Sequence, residues 1–154
     1  MHKLIIDSRE NKNTHILKQL NLLDVNYKID KLEIGDYQLE NNPTITIDRK
    51  ASMEELANNL GVGRERFKAE IMRAYENNVK FIVLLEYINL ERDVLQWESK
   101  KNKDCKPFTK MNRNVMFAQM STLSERYNVI WKYCKKSEIG RKIIELLRGE
   151  INDK

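Results

Sequence analysis

The apolar run "KFIVLLEY" at residues 80–87 constrains the fold more than any other feature of this sequence. It has the length of a β-strand, and it does not alternate between apolar and polar residues. Such a run predicts a strand that is buried on both faces of a sheet, which requires helices packed against both sides. We therefore predict an α/β fold, with a single mixed β-sheet flanked by helices on both faces.

The remaining elements follow from period-2 and helical spacing of apolar residues. Other strands are predicted at residues 3–7, 26–40, 44–48 and 128–134, with a bend or bulge at Gly35 and a turn at residues 41–43. Helices are predicted around Ile16, Leu56, Ile71, Met120 and Ile143, with Ser52 and Ser137 as N-caps. The order places an antiparallel hairpin first and βαβ crossovers after it.

The chain length of 154 residues suits one domain, which we expect to span residues 1–154. Residues 89–113 are polar and irregular, and they are interpreted as a basic surface excursion within that domain. No apolar run reaches the roughly 18 residues of a membrane span, so we expect no membrane partner. The apolar start of the chain breaks at Asp7, which does not fit a signal peptide.

Charge and cysteine content narrow the function classes. The net charge of +5 favours an anionic partner such as DNA, although solubility alone also explains it. Cys105 and Cys134 lack the spacing of a zinc site, and two cysteines make no disulfide framework. We expect a reducing, cytoplasmic location. His15 has no partner at a catalytic spacing and is interpreted as an ordinary helix residue.

The strand "TITIDRK" ends in charged residues where an apolar end is expected. Side chains alternate along a strand, so Asp48 and Lys50 share one face while Ile47 and Arg49 share the other. Asp36 on the preceding strand can lie beside Asp48 across the ladder. Two carboxylates and an ammonium suit metal-assisted phosphodiester cleavage, because Mg²⁺ binds oxygen ligands and lysine adjusts its pKa downward on burial.

A simpler alternative applies to the three-residue pattern alone. Asp-x-Lys at a strand end is more often a surface ion pair than a catalytic site. The motifs around it change the interpretation, because four of them occur in one order along the chain. They are Asp7-Ser8-Arg9-Glu10, Gly35-Asp36-Tyr37, Asp48-Arg49-Lys50 and Gly63-Arg64.

These four motifs resemble the XPF/Hef-type nuclease domain, a branch of the PD-(D/E)XK superfamily with a restriction-endonuclease-like core. The resemblance covers nearly the whole chain. It implies a Mg²⁺-dependent endonuclease, with Mn²⁺ as a substitute metal. It also implies branched, flapped or other structured duplex DNA as the substrate, in DNA repair, recombination or replication.

The resemblance also implies roles for individual residues. Asp36 and Asp48 bind the metal, together with the backbone carbonyl of Arg49, and Lys50 acts on the attacking water. Asp7 and Glu10 complete the catalytic acidic cluster, directly or through water on the metal. Arg9 and Arg49 contact phosphate or brace the acids, and Arg64 lies at a helix start close to the cleft. Apart from the resemblance, the basic cluster predicts further DNA contacts by Lys100, Lys101, Lys103, Lys106, Lys110 and Arg113.

Two departures from the family pattern are visible. Asp48 stands where the family has Glu, and it is one methylene shorter. The helix-hairpin-helix domain of cellular relatives does not follow the last helix, which implies a stand-alone form of a small bacterial or prophage-type protein.

Three further interpretations stay open. The basic cluster from Lys100 to Arg113, with Phe108 and Trp97 nearby, is either a phosphate-contacting loop or a solvated one. The chain is either an active nuclease or an inactive DNA-binding module that pairs with an active subunit. A third candidate function is that of a general α/β protein in which the acidic cluster only holds a structural cation. The family also implies a homodimer through the later helices.

Overall fold

A computed structural model describes residues 3–86 and 111–149. Its strands are β1 (Leu4–Asp7), β2 (Tyr27–Asp30), β3 (Tyr37–Leu39), β4 (Asn42–Lys50), β5 (Lys80–Glu86) and β6 (Ile130–Cys134). Its helices are α1 (Thr14–Leu22), α2 (Met53–Leu60), α3 (Arg64–Glu76), α4 (Arg113–Tyr127) and α5 (Ile139–Leu147), with a 3₁₀ turn at Lys136–Glu138.

The described strands form one six-stranded mixed sheet in the order β2-β1-β3-β4-β5-β6. The pairs β1–β2, β4–β5 and β5–β6 are parallel, while β1–β3 and β3–β4 are antiparallel. The predicted α/β class is therefore confirmed. The carboxyl ends of β4 and β5 lie side by side, which brings the end of "TITIDRK" next to Glu86.

Strand β5 is buried on both faces, as its apolar run predicts. Phe81, Val83 and Leu85 pack into one core with α2, α3 and α4. Ile82 and Leu84 pack into a second core with α1 and α5 on the opposite face. Alternate residues of one strand thus serve two helical layers, and the sheet is a rigid support for side chains at its edge.

Residues 26–40 form two strands, so the prediction of one bent strand is wrong. β2 pairs in parallel with β1 on one side, and β3 pairs antiparallel with β1 on the other. The chain must therefore cross the end of β1 between them. Parallel pairing consequently begins with the β1–α1–β2 unit, before the hairpin, and the hairpin turn lies at residues 40–41 instead of 41–43.

The two predicted helix caps have different outcomes. The Glu55 backbone N–H donates to Ser52 Oγ at 3.1 Å, which confirms the first cap. Ser137 is not a cap, because it lies in the 3₁₀ turn and α5 begins at Ile139. The side chain of Gln19 serves this helix start instead, since the Gly140 N–H donates to its Oε1 at 2.7 Å.

The predicted excursion at residues 89–113 lies mostly outside the described residues. Its last residue, Arg113, is the first residue of α4. Within the described ranges, no helix is long and apolar enough to cross a membrane.

Candidate active site

The end of β4 places three charged side chains in the protein interior. Asp48 and Lys50 are each 6% exposed, and Arg49 is 5% exposed. Ile47 belongs to the core beside α1 and α5, so Asp48 and Lys50 point to the opposite face, toward α3. The Asp48–Lys50 ion pair exists, but the interpretation as a surface pair is wrong, since both partners are buried.

Asp36 is held beside β4 by its backbone. Its N–H donates to the Ile47 carbonyl at 2.7 Å, and its carboxylate accepts the Arg49 N–H at 2.8 Å. Gly35 makes this approach possible, because its φ is +78° and an added Cβ would overlap Thr46 Oγ1. The loop therefore delivers the Asp36 carboxylate to the end of the ladder next to Asp48.

Asp36 and Asp48 form a pair of interacting carboxylates. Burial raises the pKa of Asp36 well above its usual value, and the negative charges of Asp48 and Glu10 raise it further. The Arg49 N–H works in the other direction, by stabilising the ionised form. Each carboxylate makes ionisation of the other unfavourable, and a bound cation would relieve this repulsion.

Lys50 is a charged ammonium in this environment. Burial favours its neutral form, but the Asp48 carboxylate 2.8 Å away outweighs burial, and the pKa of Lys50 is raised. Its Nζ also lies 4.7 Å from the centre of the Phe67 ring, over the ring face. Without a metal, Lys50 is thus a charged donor beside Asp48, and the downward pKa shift expected for a lysine buried near a metal stays a prediction.

A divalent cation fits this pair on one specific observation. Asp48 is buried and its Oδ2 lies 2.8 Å from the Lys50 ammonium, while the Asp36 carboxylate stands beside it and accepts the Arg49 N–H, so hard oxygen donors converge at this point. No group of three or more His, Cys, Asp or Glu side chains within the described ranges is close enough to share a metal. One or two carboxylates are nevertheless what Mg²⁺ ordinarily takes from a protein, with waters completing its shell. Asp36 and Asp48 supply that number.

The side chain of Arg49 points away from this pair, into a buried ionic network. It donates to both oxygens of Glu10, at 2.7 and 3.1 Å, and to Glu86 at 3.0 Å. Tyr37 donates its hydroxyl to Glu10 at 2.7 Å, and His15 lies 2.8 Å from Glu86. Arg49 and Glu10 are therefore committed to bracing the end of β4 against its neighbours.

Asp7 is occupied in a different way. Its carboxylate accepts the Leu32 N–H at 2.8 Å and an Arg9 N–H at 3.0 Å. Burial raises the pKa of Asp7, but these hydrogen bonds outweigh burial and lower it. Arg9 is two-thirds exposed, and both Glu70 and Asp36 contribute to its charge environment. Asp7 thus fixes the loop after β1, while Arg9 stands at the solvent side of the site.

Arg64 lies at the first position of α3, where it lines a groove between α3 and α4 with Lys68 and Arg126. The groove has a volume of about 510 Å³, and Phe67 lines it as well. Phe67 also lies under Lys50, but neither Asp36 nor Asp48 lines the groove. Among the other predicted DNA contacts, Arg113 is exposed at the start of α4, and Lys100, Lys101, Lys103, Lys106 and Lys110 lie outside the described residues.

Three residues of this region were not identified from the sequence. His15 is a partner of Glu86, so its interpretation as an ordinary helix residue is wrong. Glu86 has a sequence signal, because it ends the strand that pairs in parallel with β4. Glu70 has a weaker one, as a charged residue three positions after Phe67 on the buried face of α3.

Comparison with known proteins gives one family model and a set of solved structures, two of which are described here. The family model described as "ERCC4 domain" matches residues 6–144. XPF from Aeropyrum pernix in complex with DNA is similar in structure, with a TM-score of 0.69 and 18% identity over 97% of this chain and 65% of that chain. A second structure of XPF from Aeropyrum pernix has a TM-score of 0.69 and 19% identity, and the match covers 98% of this chain and 62% of that chain. No curated protein matches. The chain thus spans less than two thirds of the XPF chains.

Proposed function

Because the chain belongs to the ERCC4 domain family, which confirms its resemblance to the XPF/Hef nucleases, we propose that it is a divalent-metal-dependent DNA endonuclease. The observation that carries the proposal is the pair of interacting carboxylates, Asp36 and Asp48, with the Lys50 ammonium 2.8 Å from Asp48 Oδ2. A phosphodiester bond carries negative charge that develops further during hydrolysis, and a cation site next to an ammonium opposes that charge.

Each residue has a proposed part in this reaction. Asp36, Asp48 and the Arg49 carbonyl hold Mg²⁺, which would supply an activated water and stabilise charge on the phosphate. Lys50 donates to a phosphate oxygen from its fixed position over Phe67. Glu10 acts through Arg49 rather than on the substrate, because its two oxygens accept hydrogen bonds from Arg49 and Tyr37. Asp7 holds Arg9 at the mouth of the site.

DNA is the proposed substrate because cationic side chains lie at the site and in the groove between α3 and α4. Arg9 stands at the solvent side of the site, and Arg64, Lys68 and Arg126 line the groove that starts at Phe67. The relative described in complex with DNA supports the same choice. We propose branched, flapped or other structured duplexes as the form of DNA, an intracellular location in the cytoplasm, and the basic residues from Lys100 to Lys110 as further phosphate contacts.

We also propose a homodimer, although not through α5. All apolar residues at the core face of α5 are buried against its own sheet. The edge strand β6 and helix α4 are more suitable, since Phe117, Trp131 and Tyr133 are half-buried around a depression of about 350 Å³. Light scattering at high protein concentration tests this, and a monomer there would count against it.

The experiment that tests the nuclease uses a panel of DNA structures. Linear duplex, single strand, flap, fork and four-way junction are incubated with Mg²⁺, Mn²⁺ or EDTA. We expect cleavage of at least one branched substrate with metal and none with EDTA. Asp48→Asn and Lys50→Ala should each reduce the rate at least about 100-fold, while folding as the wild type does by circular dichroism.

The surface variant Asp24→Asn is the matched control, because it removes an exposed carboxylate that lies outside the site. If neither metal supports cleavage of any substrate, the inactive DNA-binding module is the better reading. Cleavage by Asp48→Asn at the wild-type rate would contradict the assignment of the site.

A further inference from the structure

The groove between α3 and α4 is lined by apolar side chains at its centre. Phe67 and Leu123 are buried core residues that form its floor, while Val115 and Tyr127 also line it and remain partly exposed. Its volume of about 510 Å³ lies within the range of ordinary ligand sites. Apolar surface that stays partly exposed in a groove of this size indicates a ligand with an apolar face.

Three cationic side chains surround this apolar surface. Arg64 and Lys68 lie one turn apart on α3, and Arg126 lies in the last turn of α4. Among the described residues none of the three forms an ion pair, whereas the cations of the candidate active site are paired with acids. Glu65 is the one acid among the described residues that line the groove. The groove therefore carries an excess of positive charge, which favours an anionic ligand.

An unpaired DNA strand has both of the properties that the groove complements. A single strand exposes the apolar faces of its bases together with its phosphates, and proteins bind it with a positively charged groove and aromatic side chains. A duplex presents only base edges and phosphates, so it offers no apolar face to the floor of the groove. Residues 87–110, which connect β5 and α4, complement the groove poorly because they too contain more basic than acidic residues.

We propose that the groove between α3 and α4 binds an unpaired DNA strand. A base packs against Val115 and Tyr127, and the phosphates on either side of it lie at Arg64, Lys68 and Arg126. The inference rests on the proposed function, because it specifies the part of a branched substrate that the nuclease holds.

Phe67 connects this groove with the candidate active site. Lys50 Nζ lies 4.7 Å from the centre of the Phe67 ring, and the same ring lines the groove. One aromatic side chain thus separates a strand in the groove from Lys50. Neither Asp36 nor Asp48 lines the groove, so the strand is held beside the reaction and not at it. Such a site would favour flaps and forks over linear duplexes, because only the branched substrates supply an unpaired strand.

The test is fluorescence anisotropy of a labelled oligodeoxythymidylate with the whole protein, in EDTA so that cleavage is prevented. Ala118→Glu adds an acid at an exposed position that lines the groove. We expect its affinity for the strand to fall at least about tenfold, because the acid repels phosphate and occupies the space for a base. Asn114→Glu is the matched control, since it adds the same charge at an exposed position of α4 that does not line the groove. It should bind as the wild type does.

Two further measurements separate the phosphate contacts from the base contacts. Lys68→Gln should reduce the slope of log affinity against log salt concentration by roughly 0.7, because one phosphate contact is lost. Lys18→Gln should leave the slope unchanged, since Lys18 is exposed on α1 and α1 packs on the opposite face of the sheet. An abasic strand of equal length should bind the wild type at least about fivefold more weakly than the thymidylate strand. Ala118→Glu should abolish this preference.

Three results would overturn the inference. They are unchanged single-strand affinity in Ala118→Glu, equal binding of abasic and thymidylate strands by the wild type, and an unchanged salt slope in Lys68→Gln. The first of them would leave an acidic protein segment with apolar side chains as the better occupant of the groove.

The nuclease and the groove fail in different ways. A wild-type protein that binds the strand through the groove and cuts no DNA would refute the nuclease alone. Cleavage by Ala118→Glu with the wild-type preference for flaps over linear duplexes would refute the groove alone. Absence of both binding and cleavage would refute both.

Discussion

Arg49→Met tests whether the network behind the candidate site stabilises the end of β4. Arg49 forms ion pairs with both Glu10 and Glu86, and among the described residues His15 is the other basic group that contacts Glu86. The side chains of the two acids are 8% and 6% exposed. Removal of the guanidinium leaves two buried carboxylates without their main partner, while methionine fills much of its volume.

Breaking a buried ion pair from one side costs about 3–5 kcal/mol, because the remaining charge is no longer compensated. Two carboxylates lose Arg49 here, so we expect the free energy of unfolding to fall by at least about 3 kcal/mol. For a chain of this size, 1 kcal/mol corresponds to roughly 2–4 °C in the thermal midpoint. Urea unfolding of the metal-free protein at pH 7.5 measures the difference directly.

The matched variant changes all three residues, as Glu10→Gln, Arg49→Met and Glu86→Gln together. It has no buried charge left uncompensated, and replacement of a buried ionic group by neutral residues is often close to neutral in stability. We expect it to regain most of the lost stability. A loss below about 1 kcal/mol in Arg49→Met, or a triple variant no more stable than the single one, would refute this account.

Two further predictions concern the loop that carries Asp36. The pKa of Asp36 is raised in the folded protein, so the folded state binds more protons than the unfolded state. The contribution of Asp36 to stability is therefore lost as the pH rises from about 4, its usual pKa, through the raised pKa. In urea titrations, the metal-free protein should therefore be more stable at mildly acid pH than at pH 8. Both Asp36→Asn and added Mg²⁺ should reduce this difference in stability. A difference in Asp36→Asn as large as in the wild type would contradict the assignment. Gly35→Ala should lose about 1–3 kcal/mol in the same assay, because alanine is strained at a φ of +78° and its Cβ would overlap Thr46 Oγ1. Gly149→Ala, at a φ of +80° with no atom within 4 Å of the added Cβ, separates the conformational cost from the overlap.

The sequence contains enough information to place the end of β4, because strand alternation has a fixed period. Once "KFIVLLEY" defines a sheet buried on both faces, Asp48 and Lys50 must share a side, and Ile47 places that side away from α1. Asp36 follows from the hairpin, since antiparallel neighbours meet across the ladder. These parts of the site depend on local geometry, which a single sequence can specify.

The parts that were missed depend on long-range packing. Apolar and polar residues alternate throughout residues 26–40. Alternation does not show on which side of β1 a strand pairs, so the sequence predicted one strand where the structure has β2 and β3. The cap of α5 comes from Gln19, a residue 121 positions before Gly140. The partnership of His15 and Glu86 spans 71 positions and has the same origin.

Asp48→Glu is the substitution that best separates charge from distance at the metal site. The XPF/Hef nucleases that this chain resembles have Glu at this position, and Asp48 is one methylene shorter. The site around it is filled, because Asp48 is 6% exposed with Lys50 Nζ 2.8 Å from its Oδ2. An added methylene in such a space costs about 1–3 kcal/mol, so the variant should be less stable in urea while it keeps a carboxylate for the cation.

We expect Asp48→Glu to retain metal-dependent cleavage within about tenfold of the wild type, since both acids supply the hard oxygen that Mg²⁺ requires. Asp48→Asn has nearly the same size as the wild type, but it leaves the buried Lys50 ammonium without its carboxylate, so it should be inactive and less stable by about 3 kcal/mol. Both variants should therefore lose stability, and only Asp48→Glu should stay active if the carboxylate serves the metal. If Asp48→Glu were as inactive as Asp48→Asn while still binding Mn²⁺ in a calorimetric titration, the position of the oxygen rather than its charge would govern catalysis. In that case the contact between Asp48 and Lys50 would be the determinant, because the longer side chain moves the carboxylate relative to the ammonium.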